Sequence, residues 1–155
     1  MTEREALIEA IRLEPDAMTP RLVFADWLKE YGANDLDRAT EEFIRVSCIK
    51  ASSRMPNKAY DWIEGNWMRL IPSAVKLFEK IRGDNVAFGC NSWFRSGRCI
   101  WARIPLRNVL NILRFYSCRL WFSRGFVEGY RVWSDASNEL FVPVLLHDQP
   151  LARKV

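Results

Sequence analysis

Thr19-Pro20-Arg21-Leu22-Val23-Phe24-Ala25-Asp26-Trp27-Leu28-Lys29-Glu30-Tyr31-Gly32 is the stretch on which the reading of the fold turns. Thr19 offers an N-cap hydroxyl, and Pro20 a first helical residue whose missing N–H costs nothing at that position. Phe24, Trp27, Leu28 and Tyr31 recur at helical spacing and form a buried stripe, and Gly32 ends the helix in the usual C′ position. Upstream, Thr2 followed by Glu5 forms a capping box, and Leu7, Ala10 and Ile11 continue at helical spacing, so a first helix is expected from Glu3 to Leu13. Glu14-Pro15-Asp16 breaks it. Downstream, a third helix starts near Asp35 to Asp37, sets Ala39, Phe43, Val46 and Ile49 or Lys50 on one face, and fades at Ser52-Ser53.

Further out, Ala59, Trp62, Ile63, Trp67 and Leu70 keep the helical spacing, with Gly65 weakening the centre of the run. Pro72 opens another helix through Val75, Leu77, Phe78 and Ile81 that stops at Gly83-Asp84-Asn85. The pattern then changes. Val86 to Phe94 and Cys99 to Ile104 are β-rich and flank Arg95-Ser96-Gly97-Arg98, a hairpin signal. Pro105 is expected to open a helix with Leu106, Val109, Leu110 and Leu113 on one face and Arg107, Asn111, Arg114 and Cys118 on the other. Phe126 to Trp133 predicts a strand, and Ser134-Asp135 caps a last helix through Leu146 that Pro143 kinks or shortens. The expected fold class is α+β. One domain over residues 1–155 would join a three-helix unit (1–53) to a basic α+β portion (54–155), with a helical middle and a small sheet from 86–104 and 126–133 carrying packed helices.

Glu5 to Leu13, Pro15-Asp16, the Thr19 to Gly32 run and Glu42-Phe43-Ile44-Arg45-Val46 together resemble the bacterial repeat-companion domain. Arg124-Gly125-Phe126-Val127-Glu128 looks like the strand that follows this module. The resemblance covers residues 3–50, a third of the chain. It implies a short helical module at the N-terminal end of proteins whose remainder consists of repeats, often leucine-rich, and it implies no activity. Only about one repeat length follows the Gly-Phe-Val-Glu strand here, so a full horseshoe of stacked repeats is not expected.

The 155 residues are 49% hydrophobic and 27% charged, with 7 Gly and 7 Pro. That balance excludes disorder, collagen and coiled coil, and a chain of this length buries roughly 70% of its unfolded surface. Asn111 and Pro143 interrupt the longest apolar runs, so no membrane-spanning helix is expected. Glu3, Glu5 and Glu9 break up the N-terminal stretch that a secretory signal would need, and a cytoplasmic protein is expected. Cys48, Cys90, Cys99 and Cys118 form no C-x-x-C pair, which argues for reduced thiols and against a zinc or redox centre.

Charge is unevenly spread. Residues 1–50 hold 7 Lys or Arg against 11 Asp or Glu, whereas residues 51–155 hold 16 against 8. From Arg82 to Arg124 all eight basic residues are Arg, and Asp84 is the single acid. Arg offers a planar fork for phosphate or carboxylate and a face that stacks on aromatics. Seven Trp are present, and Trp93, Trp101 and Trp121 interleave with this run. The expected binding residues are therefore Arg95, Arg98, Arg103, Arg107, Arg114, Arg119, Trp93, Trp101 and Trp121. Such a set has three readings: an acidic protein surface as partner, which would make the chain an adaptor or protein-interaction module; nucleic acid or a ribonucleoprotein, as an accessory or inhibitor of a nucleic-acid-processing complex; or a merely solvated face.

Catalytic chemistry has little support. His147, the sole histidine, neighbours Asp148, but adjacent helical residues point about 100° apart, and a cation near a helix C-terminus is the better reading. Cys118 lies near Arg114 and Arg119, which would depress a thiol pKa, against the plainer reading of a helix-end cysteine. Arg21, Asp26, Glu30 and Arg45 form either a recognition surface or a structural ion-pair network. The glycines make no phosphate loop. No enzyme, cofactor or metal is expected. Leu151 to Val155 lies where a second repeat strand would begin, so its edge either pairs with a second copy or a partner strand, or is guarded by Arg153 and Lys154.

Overall fold

The computed structural model describes residues 1–49, 56–82, 87–91, 99–107, 113–132 and 135–154. Among these, six helices and five strands follow in the order α1 (Glu3–Leu13), α2 (Thr19–Tyr31), α3 (Asp35–Ser47), α4 (Asn57–Leu70), α5 (Pro72–Arg82), β1 (Ala87–Asn91), β2 (Cys99–Arg107), β3 (Leu113–Ser123), β4 (Phe126–Val132), α6 (Asp135–Asp148) and β5 (Arg153–Lys154). The fold class is α+β. The chain divides into two compact units, one of Met1–Leu70 with Phe122–Phe126 and one of Ile71–Trp121 with Val127–Val155.

The first unit holds α1 to α4 and the tip of the β3–β4 hairpin. At the start of α1 the capping box is complete: the Thr2 N–H donates to Glu5 Oε2 at 2.7 Å and the Glu5 N–H to Thr2 Oγ1 at 3.2 Å. Ile11, Phe24, Ala25, Leu28, Ala39, Phe43, Ile44, Ala59, Ile63, Trp67 and Leu70 are all buried, but of the stripe expected on α2 Trp27 is only half-buried and Tyr31 is exposed, as is Ile49 beyond α3. Two aromatic stacks run through this unit. Phe126, Phe24, Trp27 and Tyr31 follow one another at ring spacings of 6.1, 6.1 and 5.6 Å. Phe43 stacks on Trp62 at 5.3 Å and meets Phe122 edge-on at 6.3 Å.

Both ends of α2 differ from expectation. Met18, not Thr19, is the N-cap, and it makes no side-chain capping bond. Gly32 is not left-handed, its φ and ψ being −65° and 125°. Glycine is required there because a Cβ would lie 2.3 Å from the Leu28 carbonyl oxygen.

The hairpin tip is the most constrained backbone of this unit. Arg124 and Gly125 both take positive φ, 46° and 97°, the signature of a two-residue hairpin turn whose twist matches its strands. A Cβ on Gly125 would meet Ile44 Cγ1 at 2.1 Å. Arg21, itself buried, donates from Nη1 to the Arg124 carbonyl at 3.1 Å and from Nη2 to the Pro15 carbonyl at 2.8 Å, and its guanidinium lies 5.5 Å from the Phe126 ring centre. The Arg124 guanidinium reaches Asp16 at 2.8 Å and the Pro15 carbonyl at 3.1 Å.

The second unit holds α5, α6 and most of the sheet, whose strand order is β1-β2-β3-β4-β5. β1 to β3 pair antiparallel, whereas β5 returns parallel to β4, with Gly129 opposite Arg153 and Tyr130 opposite Lys154. β1 and β2 pair as expected of the stretches flanking residues 95–98, and that turn itself lies outside the described residues. The helix expected from Pro105 is not formed: residues 105–107 complete β2 and 113–118 begin β3. Leu113 to Ser123 carries Phe115, Tyr116, Trp121 and Phe122, and such aromatics favour a pleated surface. Among the described residues β1 pairs with β2 as far as Arg103, and Pro105 is paired with Phe115 of β3. The kink expected at Pro143 does not end α6, which runs on to Asp148.

Candidate binding surface

Strand register decides which sequence-predicted residues share a face. β2 and β3 pair without a bulge from Cys99 opposite Trp121 to Arg107 opposite Leu113. Successive strand residues alternate between faces and directly opposed residues share one. One face therefore holds the positions of Trp101, Arg103, Arg107, Arg119 and Trp121, together with Phe115, which pairs with Pro105. The opposite face holds Ile100, Ala102, Ile104 and Leu106, paired with Leu120, Cys118, Tyr116 and Arg114. The second set is apolar except at its Arg114 end. In keeping with that alternation, Leu120 and Phe122 are each 1% exposed, while Trp121 is half-buried.

Five of the nine expected binding residues thus share a face and Arg114 does not. The helical reading had set Arg107 and Arg114 side by side; as strand residues, Arg107 opposite Leu113 and Arg114 opposite Leu106, they occupy opposite faces. Trp93, Arg95 and Arg98 lie outside the described residues. β1 contributes Ala87, Gly89 and Asn91 to the Trp101 face, opposite Arg103, Trp101 and Cys99. No position of this face on the three strands is acidic.

Several charged residues of the first unit are engaged with one another. Arg45 donates to Asp26 at 2.8 Å and to Glu41, and these two hydrogen bonds raise its pKa. Arg69 forms a fork onto Asp35, at 2.9 and 3.0 Å, and reaches Glu42 at 2.8 Å; the Trp62 indole N–H also donates to Glu42, at 3.1 Å. Hydrogen bonds from Arg69 hold both carboxyls below their ordinary values. Buried Asp37 pairs with Arg4 at 2.7 Å and accepts from the Ala33 N–H at 3.1 Å. Arg45 with Asp26 is accordingly an ion pair, Arg21 serves the hairpin tip, and Glu30 is exposed.

Around His147 the geometry is that of a helix cap. Ser73 donates to Asp148 through its backbone N–H and its hydroxyl, both at 2.8 Å, so the buried Asp148 carboxylate caps the start of α5. His147 Nδ1 lies 3.3 Å from the same carboxylate, and its side chain is 81% exposed in the last turn of α6. The Ser73 hydroxyl hydrogen is directed to the carboxylate and not to the imidazole, which leaves it unactivated by His147. Beside this, the Gln149 side-chain carbonyl accepts from the Val127 N–H at 3.1 Å and ties the end of α6 to β4.

Cys48 is a buried thiol and not a disulfide, and Cys118 stands at a β3 position in place of the helix end expected for it. Among the described residues no group of His, Cys, Asp and Glu is arranged to hold a metal, and no helix is long and apolar enough to cross a membrane. The β3–β4 tip was the feature least visible in advance. Its signal, a Ser-Arg-Gly turn between two aromatic stretches, is masked when Leu113 to Cys118 is read as helix. Comparison with protein-family models, curated proteins and solved structures finds no match to this chain.

Proposed function

We propose that this chain is a non-enzymatic, cytoplasmic interaction module, an adaptor that takes an acidic partner on the Arg/aromatic face of β1, β2 and β3. Its first fifty residues, in this reading, are a repeat-companion-like helical unit. The observation that carries the proposal is the β2–β3 register, which brings Trp101, Arg103, Arg107, Arg119 and Trp121 to one face that has no carboxylate position. Arg and Trp are enriched where partners bind, because each joins a large contact area to a directional polar group. The opposite face holds the apolar positions Ile100, Ala102 and Ile104 with Leu120, which is buried.

The test is charge reversal on the face. Arg103→Glu with Arg119→Glu is compared with Lys76→Glu and Lys80→Glu, two exposed α5 residues giving the same change in net charge. Retention is measured on two immobilised polyanions, polyglutamate and a single-stranded oligonucleotide. The face variant is expected to lose retention and the α5 variant to keep most of it. Equal losses would mean that net charge alone is responsible, and no retention of the wild type on either polymer would end the proposal.

A further inference from the structure

We infer that the acidic partner is single-stranded nucleic acid, laid along β2 and β3 with bases on the aromatic positions and phosphates on the arginines. This rests on the sheet-face reading above and names the chemistry of its partner. The first observation is how the two residue types alternate. Along β2 the face runs Trp101, Arg103, Pro105, Arg107, and on β3 the opposing positions are Arg119, Ser117, Phe115 and Leu113, with Trp121 one step beyond. Trp101 therefore has Arg119 directly across the strands and Arg103 one same-face step away, a step of about 7 Å. Trp121 has Arg119 one step away on its own strand. Every Trp position of the face thus has an Arg position as a neighbour.

A protein hot spot is built differently, from a central aromatic anchor ringed by energetically neutral residues that exclude water. A single strand of nucleic acid instead alternates charge with a flat π-face along its whole length. Groups that bind it combine a basic track with rings on which successive bases stack. Unpaired bases are required, because the π-faces of a duplex are already stacked, so a double strand would meet the arginines and leave the rings unused.

The second observation is the sign of the surround. Among the described residues the β1 positions on the same face are Ala87, Gly89 and Asn91, so the Trp101 and Arg103 positions pair with uncharged residues. No Asp or Glu occurs between Asp84 and Glu128, and no Lys does either. A partner surface made of protein would bring cations as well as carboxylates, and this face has no acid to receive them. A polyphosphate brings none.

The experiment is fluorescence-anisotropy binding of the full chain to a labelled oligothymidylate of about 20 nucleotides, to its duplex form and to labelled polyglutamate, over a salt series. Expected is tightest binding to the single strand, with the logarithm of affinity falling against the logarithm of salt by about 0.7 per phosphate contact. Trp101→Ala should weaken single-strand binding by about tenfold at every salt concentration without changing that slope, and Trp101→Phe should restore most of it. Arg103→Gln with Arg119→Gln should make the slope shallower by about 1.4. Circular dichroism of each variant checks the fold, and Arg103→Gln alone, with an expected change in slope of about 0.7, serves if the Gln pair fails to fold. Binding to polyglutamate alone would overturn the inference and leave the interaction-module reading standing. Duplex bound as tightly as single strand, or indifference to Trp101→Ala, would also overturn it. Binding to none of the three would remove both.

Discussion

Gly125 is where the first unit tolerates least. Its positive φ excludes an L side chain cheaply, and the space a Cβ would need is held by Ile44, a fully buried α3 residue. Gly125→Ala is therefore expected to cost roughly 3 kcal/mol, combining backbone strain with overpacking, measured as a shift in urea midpoint. A midpoint unchanged from wild type would mean that the tip does not sit against α3. Arg124 also carries a positive φ, and the bonds it makes to Asp16, Pro15 and Arg21 hold it there. A second residue-scale expectation concerns Arg69. Because Asp35 and Glu42 sit below their ordinary 3.8 and 4.5, the unfolded chain binds these protons more readily than the folded one. The stabilisation is then complete above 4.5 and disappears as pH falls through the lowered folded values. Arg69→Met should be less stable than wild type at pH 7, and the gap should narrow steadily below 3.8. A gap that stays constant from pH 7 to strongly acidic solution would assign the effect to packing of the Arg69 stem.

At the scale of elements, α4 offers a gain where the tip offers only loss. Gly65 lies in the exposed interior of that helix, and a Cβ there would meet nothing within 4 Å. Gly65→Ala should raise stability by about 0.8 kcal/mol, seen as a higher melting temperature, and a lower one would show that α4 is not helical through its centre. The first five helices were legible because each has a periodic stripe, with punctuation at the Thr2 and Glu5 box, Pro20, Pro72 and the break at Glu14 to Asp16; the stop expected at Gly83 to Asn85 lies outside the described residues. The stretch from Pro105 to Cys118 was not, since Leu106, Val109, Leu110 and Leu113 satisfy helical spacing while drawing on the end of one strand, the link beyond it and the start of the next. Period alone does not separate two short strands from one helix when apolar residues are dense. The candidate binding surface was legible in the same uneven way. Composition identifies Arg and Trp, but only register separates Arg107 from Arg114 and joins Trp101 to Arg119.

For the whole molecule, the strand order leaves β5 at one end of the sheet, where unpaired backbone groups invite another strand. β5 lies parallel to β4 at an offset of 24 residues across α6, Gly129 facing Arg153. Its anchoring is internal to the second unit: Ala152 and Gln149 are buried, and Asp148 holds the start of α5. Arg153 and Lys154, by contrast, are both exposed. In a two-fold dimer through this edge the two β5 strands would run antiparallel and bring four basic side chains together across the join. Like charges placed opposite one another oppose pairing, and the opposition weakens as salt screens it. The two proposals thus differ in the sign of the expected salt effect: self-association through β5 is expected to rise with ionic strength, and the proposed binding of an acidic partner to the Arg/aromatic face to fall. The wild-type chain is expected to sediment as a monomer at low salt, and Arg153→Thr with Lys154→Thr as a dimer under the same conditions. Residues 149–152 are left intact in that variant, so the anchor of β5 is unchanged and a lower melting temperature is not expected. A wild-type dimer at low salt that dissociates when salt is added would show that opposite charges, and not this guarded edge, hold the copies together.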